Sequence, residues 1–212
     1  MANFFEFLFR PYINYEPLQI LLETIAVVFG IWSVWLAKKN HVWVFPTGIV
    51  STALYVYLLY QWGLLGDMLI NTYYTAMSLY GWWIWTRKID VSNQTPISYV
   101  NRQEKLQSVF IFLSAIVFVY LVYQYFDKWD AWVSRVDVIT TAIFFVAMWL
   151  MAKRKIAHWI FWIAGDIISI PLYFYKGYTL TSLQYLIFLI IAVYGYRSWK
   201  RNLDKHLQTA SK

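Results

Sequence analysis

The chain has no cysteine among its 212 residues. Disulfides, thiolate metal sites and thiol nucleophiles are therefore excluded. Charge is also scarce. Asp, Glu, Lys and Arg make up 14%, against about 25% in soluble domains. Five prolines and eight glycines leave few breaks. Hydrophobic residues instead reach 60%, and mean hydropathy is +0.47. So short a chain cannot hide that excess in a core, because small domains keep much of their surface wet. Water is excluded as the main solvent. Aromatics reach 22%, with 13 Trp, 18 Tyr and 15 Phe.

Other absences narrow the function. No G-x-x-x-x-G-K-[ST] occurs, so the chain does not use ATP through a phosphate-binding loop. The last apolar run has no Lys, which excludes a retinal Schiff base. His41, His158 and His206 do not form a spaced metal pair. No cofactor and no enzymatic chemistry are expected.

Seven apolar windows are each close to the 17–25 residues that cross a bilayer as a helix. They cover 18–37, 42–60, 68–85, 109–126, 136–152, 156–175 and 178–196. The runs are continuous, unlike the alternating strands of a membrane barrel. The expected fold is an all-α membrane protein. Residues 1–17 are expected to form an interfacial segment without the marks of a signal peptide, and 201–212 a polar cytoplasmic tail that is a frayed helix end.

The net charge of +7 resembles a nucleic-acid signal until its distribution is read. Of 18 Lys and Arg, 14 fall on one side of the expected membrane, and Arg10, Lys128, Arg135 and Lys176 on the other. Basic loops stay in the cytoplasm. The C-terminus is expected inside and the N-terminus outside, with no nucleic-acid partner.

The sequence repeats at an offset of about 114 residues. Glu23 matches Asp137, Trp35-Leu36 matches Trp149-Leu150, and Gly63 matches Gly177. Tyr80-Gly81 matches Tyr194-Gly195, and Trp85 matches Trp199. Between these, His41 and Trp43 pair with His158 and Trp159, and Gly48 with Gly165, if the second copy gains two or three residues. Three spans fall in each copy, at 18–88 and 131–200, with a loop and a linker span at 89–130. The copies share one orientation, as in parallel-repeat carriers whose substrate path lies between the halves. Pro46, Gly48, Gly165 and Pro171 are candidate pivots, because proline removes a helical hydrogen bond. Ordinary helix kinking is the alternative.

Polar groups in hydrocarbon need a partner or a task. Trp159, Trp162 and Asp166 lie at i, i+3 and i+7, one helix face with two aromatic planes and one acceptor. Asp67, Asn71, Tyr74, Ser78 and Gly81 form a polar line in the third span. Asn71 could equally join helices together. Thr181, Ser182 and Gln184 share that ambiguity. Glu23 and Asp137 read as structural or mouth-of-pathway groups. No Lys or Arg lies inside any span, so a phosphate or carboxylate substrate lacks its counterion. Trp planes attract cations and stack on flat rings. The candidate site suits a flat, cationic ring bearing hydroxyls. Trp43, Trp82, Trp83, Trp85, Trp129, Trp132 and Trp199 read instead as interfacial belt.

These residues resemble the bacterial vitamin transporters of the nicotinamide riboside (PnuC-type) family, over about residues 18–200. Trp159-x-x-Trp162-x-x-x-Asp166 is similar to the family's W-x-x-W-x-x-x-[N/D] signature. Asn71-x-x-Tyr74, Tyr80-Gly81-Trp82 and Val44-Phe45-Pro46-x-Gly48 also resemble its pattern. The resemblance implies a three-plus-one-plus-three arrangement like a full-length SWEET carrier, a homotrimer and a place in the bacterial inner membrane. It implies facilitated diffusion of nicotinamide riboside, an NAD precursor, trapped by a cytoplasmic riboside kinase. Trp159, Trp162, Asp166, Asn71 and Tyr74 then become binding residues, with Gln184 and Trp43 as additions. Thiamine is also a flat cation and fits the same physical description. A proton-coupled symporter using Glu23, Asp137 or Asp166 is the other alternative.

Overall fold

The computed structural model describes residues 16–210, apart from 64, 91, 92, 95, 128, 130, 177 and 178. The N-terminal interfacial segment up to residue 15, and Gly177, lie outside the described residues. Among the described residues seven helices follow in order: α1 (Pro17–Lys38), α2 (Val44–Gln61), α3 (Leu65–Thr86), α4 (Arg102–Tyr125), α5 (Ala131–Ala152), α6 (His158–Tyr175) and α7 (Thr179–Ala210). A two-stranded ribbon, β1 (Lys88–Asp90) with β2 (Asn93–Gln94), sits between α3 and α4. Each apolar window corresponds to one helix. By length and composition α1, α4 and the 132–152 stretch of α5 are apolar enough to cross a membrane. α2 and α6 have 18 residues each and mix tyrosine, serine, threonine or tryptophan into the apolar run.

Local signals explain the ends. Pro17 opens α1, where its missing N–H is not needed. Asn101 and Glu104 form a reciprocal capping box at the start of α4, with bonds of 2.8 and 3.0 Å. α1 and α5 end alike. Asn40 and Arg154 both take left-handed backbone, at φ 56° and 58°. Asn40 N–H bonds Ala37 O, and His41 N–H bonds Leu36 O. Arg154 N–H bonds Met151 O, and Lys155 N–H bonds Leu150 O. This two-bond closure satisfies carbonyls that the helix leaves free.

α2 packs between α1 and α3, and α6 between α5 and α7. The two triplets meet where α1 touches α7 and α3 touches α5. α4 leans chiefly on α5 and leaves much of its surface open, with Phe110 and Tyr125 more than 70% exposed. Buried α5 forms the centre. The stretch before α4 returns across the basic end. There Ser98 exchanges backbone bonds with Arg154 and Ile156, and Lys155 joins Glu104 at 3.0 Å.

Helix starts follow an offset of 114 throughout: residues 17 and 131, 44 and 158, 65 and 179. The two or three added residues expected in the second copy are absent. The spacing therefore sets Phe45 against Trp159 and Ser51 against Gly165, not Gly48 against Gly165. Packing agrees. Phe45 lies on Gly81, and Trp159 lies on Gly195, 114 positions on in both cases. A Cβ at either glycine would overlap the ring, so only glycine permits the approach.

One further expectation changes. Pro46 sits in the first turn of α2, where proline breaks no helical bond, whereas Pro171 lies inside α6. Among the prolines proposed as pivots, only Pro171 removes an internal bond. The polar tail continues α7, which runs unbroken to Ala210, and Leu203 is buried with the core.

Candidate functional site

The site is built around α6. Asp166 is 1% exposed, and neither carboxylate oxygen has a hydrogen-bond partner among the described residues. Ser169, one turn on, is fully buried with its hydroxyl likewise unpartnered. A carboxylate at a helix centre in hydrocarbon costs about 2.5–3.5 kcal/mol. Pro171 adds to the local polarity, because Ile167 O loses the donor four residues on. This stretch of α6 therefore carries acceptors and no cation.

Flat rings surround it. Phe144 of α5 lies over Gly165, in the space where any other residue would carry its side chain. Trp162 tilts against Phe144 at 5.3 Å. Tyr185 of α7 stacks on the other side of this group, 5.9 Å from Phe144 with planes 7° apart. Tyr173 continues the row, 5.1 Å from Tyr185. A second row comes from α3, where Tyr73 stacks on Phe145 at 3.8 Å and donates its hydroxyl to Phe145 O at 3.0 Å. Tyr74 meets Phe145 edge-on at 6.0 Å. Tyr74 and Tyr185 both lie within electrostatic reach of Asp166. Such a lining can stack a planar ring and hold a positive charge.

Trp162, Asp166 and Tyr74 thus come together. Trp159 shares their helix, is 1% exposed and packs with His158 and Trp199, towards the basic end. Asn71 donates its amide to Asp67 O of its own helix at 3.0 Å, and its carbonyl accepts from Thr75. Gln184 is half-buried beside Tyr185 on α7. Trp43 is 59% exposed at the start of α2 and is not brought to the site.

Tyr185, Tyr173 and Phe144 were missed by sequence reasoning. A signal was present for one of them: Tyr185 stands 114 positions after Asn71. The same spacing sets Thr52 against Asp166. Thr52 accepts the Thr75 hydroxyl at 2.8 Å, so the first triplet has a satisfied hydroxyl where the second has a bare carboxylate.

At the far end from the basic loops, Asp137 is paired. Its carboxylate takes the Lys176 ammonium and the Tyr123 hydroxyl. That bonding fits a structural role. A shallow groove of about 320 Å³, lined in part by Tyr80, Phe110, Trp149 and Lys153, opens elsewhere, between α3, α4 and α5. None of the residues that gather at Asp166 lines it.

Comparison with known proteins matches residues 20–201 to the family described as nicotinamide mononucleotide transporter. The nicotinamide riboside transporter PnuC of Neisseria mucosa is 25% identical over 194 residues, covering 87% of this chain and 74% of its own. PnuC of Escherichia coli is 22% identical over 205 residues, covering 84% of each. The riboflavin/roseoflavin transporter RibM of Streptomyces davaonensis is 22% identical over 195 residues, covering 90% of this chain and 89% of that one. A crystal structure of the vitamin B3 transporter PnuC shares the fold, with TM-score 0.67 and 23% identity over 88% of this chain and 83% of that one. The chain therefore belongs to the nicotinamide mononucleotide transporter family, a family of membrane transporters.

Proposed function

We propose that the protein imports nicotinamide riboside across the bacterial inner membrane by facilitated diffusion. The observation that carries this reading is Asp166, fully buried and unpartnered among stacked aromatic rings. Nicotinamide riboside is a flat pyridinium cation with a hydroxylated ribose and no phosphate. A cation satisfies the carboxylate, and the rings take the plane. The mononucleotide adds an anionic phosphate, which Asp166 repels with no Lys or Arg on α6 to offset it. Riboflavin, a neutral ring system, leaves the carboxylate unanswered. Phosphorylation by a cytoplasmic kinase would convert the riboside into an anion that the site rejects, and so trap it.

The architecture belongs to the same proposal. Two parallel three-helix copies joined by α4 account for the common offset of 114 and for the paired contacts α1–α7 and α3–α5. The concentration of Lys and Arg in the loops on one side supports a cytoplasmic C-terminus and an outside N-terminus. The family resemblance adds a homotrimer.

The test is a binding titration of the purified protein, read by tryptophan fluorescence. The ligands are nicotinamide riboside, its mononucleotide, thiamine and riboflavin. Trp162 reports stacking at the site. The riboside is expected to bind at least tenfold more tightly than the other three. Preference for the mononucleotide or riboflavin would reject the electrostatic reading. Preference for thiamine would keep the site and change the substrate.

A further inference from the structure

The basic ends of the two triplets are joined by a matched pair of bonds that the site chemistry does not use. Trp85 of α3 donates its indole N–H across to the end of α5, 3.3 Å from Met151 O and 3.2 Å from Ala152 O. Trp199 of α7 donates its own across to the end of α1, 2.8 Å from Ala37 O. Trp85 and Trp199 are 114 positions apart, and so are Ala37 and Met151. The acceptors lie in the last turns of α1 and α5, where Ala37 O and Met151 O already accept from Asn40 and Arg154 N–H and take the indole as a second donor. Each indole thus adds a bond to a helix end that belongs to the other triplet.

The surroundings close the same end. The rings of Trp85 and Trp199 meet at 5.8 Å, and Trp159 and His158 pack on Trp199 at 5.9 and 4.6 Å. Trp85, Trp159, Trp199 and His158 are each no more than 1% exposed. Arg154 lies over Trp85 at 4.5 Å and reaches across to Asn40 Oδ1 at 3.0 Å. Trp159 Nε1 and His158 Nε2 have no hydrogen-bond partner among the described residues, so the closed cluster holds polar atoms that opening would satisfy. A carrier must part its halves at one end to release its load. The bonds that resist parting here are few, reciprocal and confined to one layer.

We propose that Trp85 and Trp199 form a two-fold latch that holds the cytoplasmic side shut and must release both indole bonds for substrate to leave. The inference rests on the transport reading and its orientation, but it is measured separately. The chain has no cysteine, so a single thiol can be placed at will. Met148 is buried in this cluster and serves as reporter through Met148→Cys. The full chain is reconstituted in vesicles and exposed to a membrane-impermeant thiol reagent on the side of the basic loops.

Trp85→Phe and Trp199→Phe keep a ring but remove the donor. Each is expected to raise the labelling rate about fivefold, and the pair about twenty-five-fold, since one hydrogen bond contributes about that factor. Trp83→Phe, on a half-exposed ring at the same end, should leave the rate unchanged. Unchanged labelling in both latch variants, with retained elution as folded protein, overturns the latch. Should either variant fail to fold, a cleavable bifunctional thiol linker between Asn40→Cys and Arg154→Cys gives the answer. Linking should leave riboside binding in place, cut flux at least tenfold and restore it on cleavage. Flux unchanged at full linkage overturns the proposal. Lack of riboside binding by the unaltered protein would instead reject the transport reading and leave the labelling result standing.

Discussion

The ring of Phe144 fills the space that a side chain on Gly165 would need. The glycine lets α5 and α6 approach, and the approach sets the ring next to Asp166. Gly165→Ala forces Phe144 aside in a packed region, where overfilling costs about 1–3 kcal/mol. The expected outcome is a lower melting temperature and at least tenfold weaker riboside binding. A variant of normal stability and normal binding would show that Phe144 does not shape the site.

Asp166→Asn keeps size and removes charge. Binding of cationic nicotinamide riboside should fall about 10- to 100-fold, while its neutral dihydro form should change less than about threefold. A charge-assisted contact contributes roughly 1.5–3 kcal/mol, which sets that range. Equal losses for both ligands in a parallel titration would remove the electrostatic argument.

Tyr185 tests stacking. Tyr185→Phe retains the plane against Phe144 and should bind the riboside within about twofold of normal. Tyr185→Leu loses a stacking contribution of about 0.5–1.5 kcal/mol and should bind roughly two- to tenfold more weakly. Identical titration curves for the two variants would exclude a stacking role.

Lys176 and Asp137 are a partly buried pair, with side chains 23% and 10% exposed. Removing either partner leaves the other without its counter-charge. Lys176→Gln or Asp137→Asn alone should destabilise by about 1–3 kcal/mol, below the range for a fully buried pair because of this exposure. The double variant should recover part of the loss. Additive losses in a double-mutant cycle, followed by thermal unfolding, would mean that the two groups do not act together.

Pro171→Ala returns an N–H donor to the Ile167 carbonyl and stiffens α6. Riboside flux into vesicles should fall several-fold, with equilibrium binding little changed. Unaltered flux would discard Pro171 as a pivot.

Much of the fold was legible because its signals are local. The apolar windows match helices, since a run of that length and greasiness has one inexpensive conformation in lipid. The offset of 114 was legible from Trp85 and Trp199, but its register was misread between the first two helices. Matching like residues, histidine with histidine and glycine with glycine, suggested an insertion. The structure instead matches roles: Phe45 and Trp159 do the same packing with different rings. Identity of side chain is a poor guide where any large aromatic fits over a glycine.

The site was half legible. Asp166 could be found because a carboxylate in a greasy run is anomalous in any context. Tryptophans could not be sorted, because belt, latch and binding roles use the same side chain and differ in what faces it. Trp85 and Trp199 were assigned to the interface, yet they bond across the halves. Trp159 was grouped with Asp166 by helical spacing and by the family resemblance, and spacing fixes a face but not the depth of its neighbours. Tyr185 reaches the site from another helix, and no spacing within α6 points to it.

Thr52 holds the position that Asp166 holds in the other triplet, and its hydroxyl is already engaged by Thr75. At the proposed site, recognition would therefore lean to one side of the molecule. Residues around Asp166 can drift and change the preferred cargo without disturbing the opposite arm, and that arm can vary as long as it still fits its neighbour. A designer seeking a new passenger would begin with α5, α6 and α7. Thr52→Asp, by seating a second carboxylate opposite the first, would ask whether the scaffold can carry a doubly charged guest.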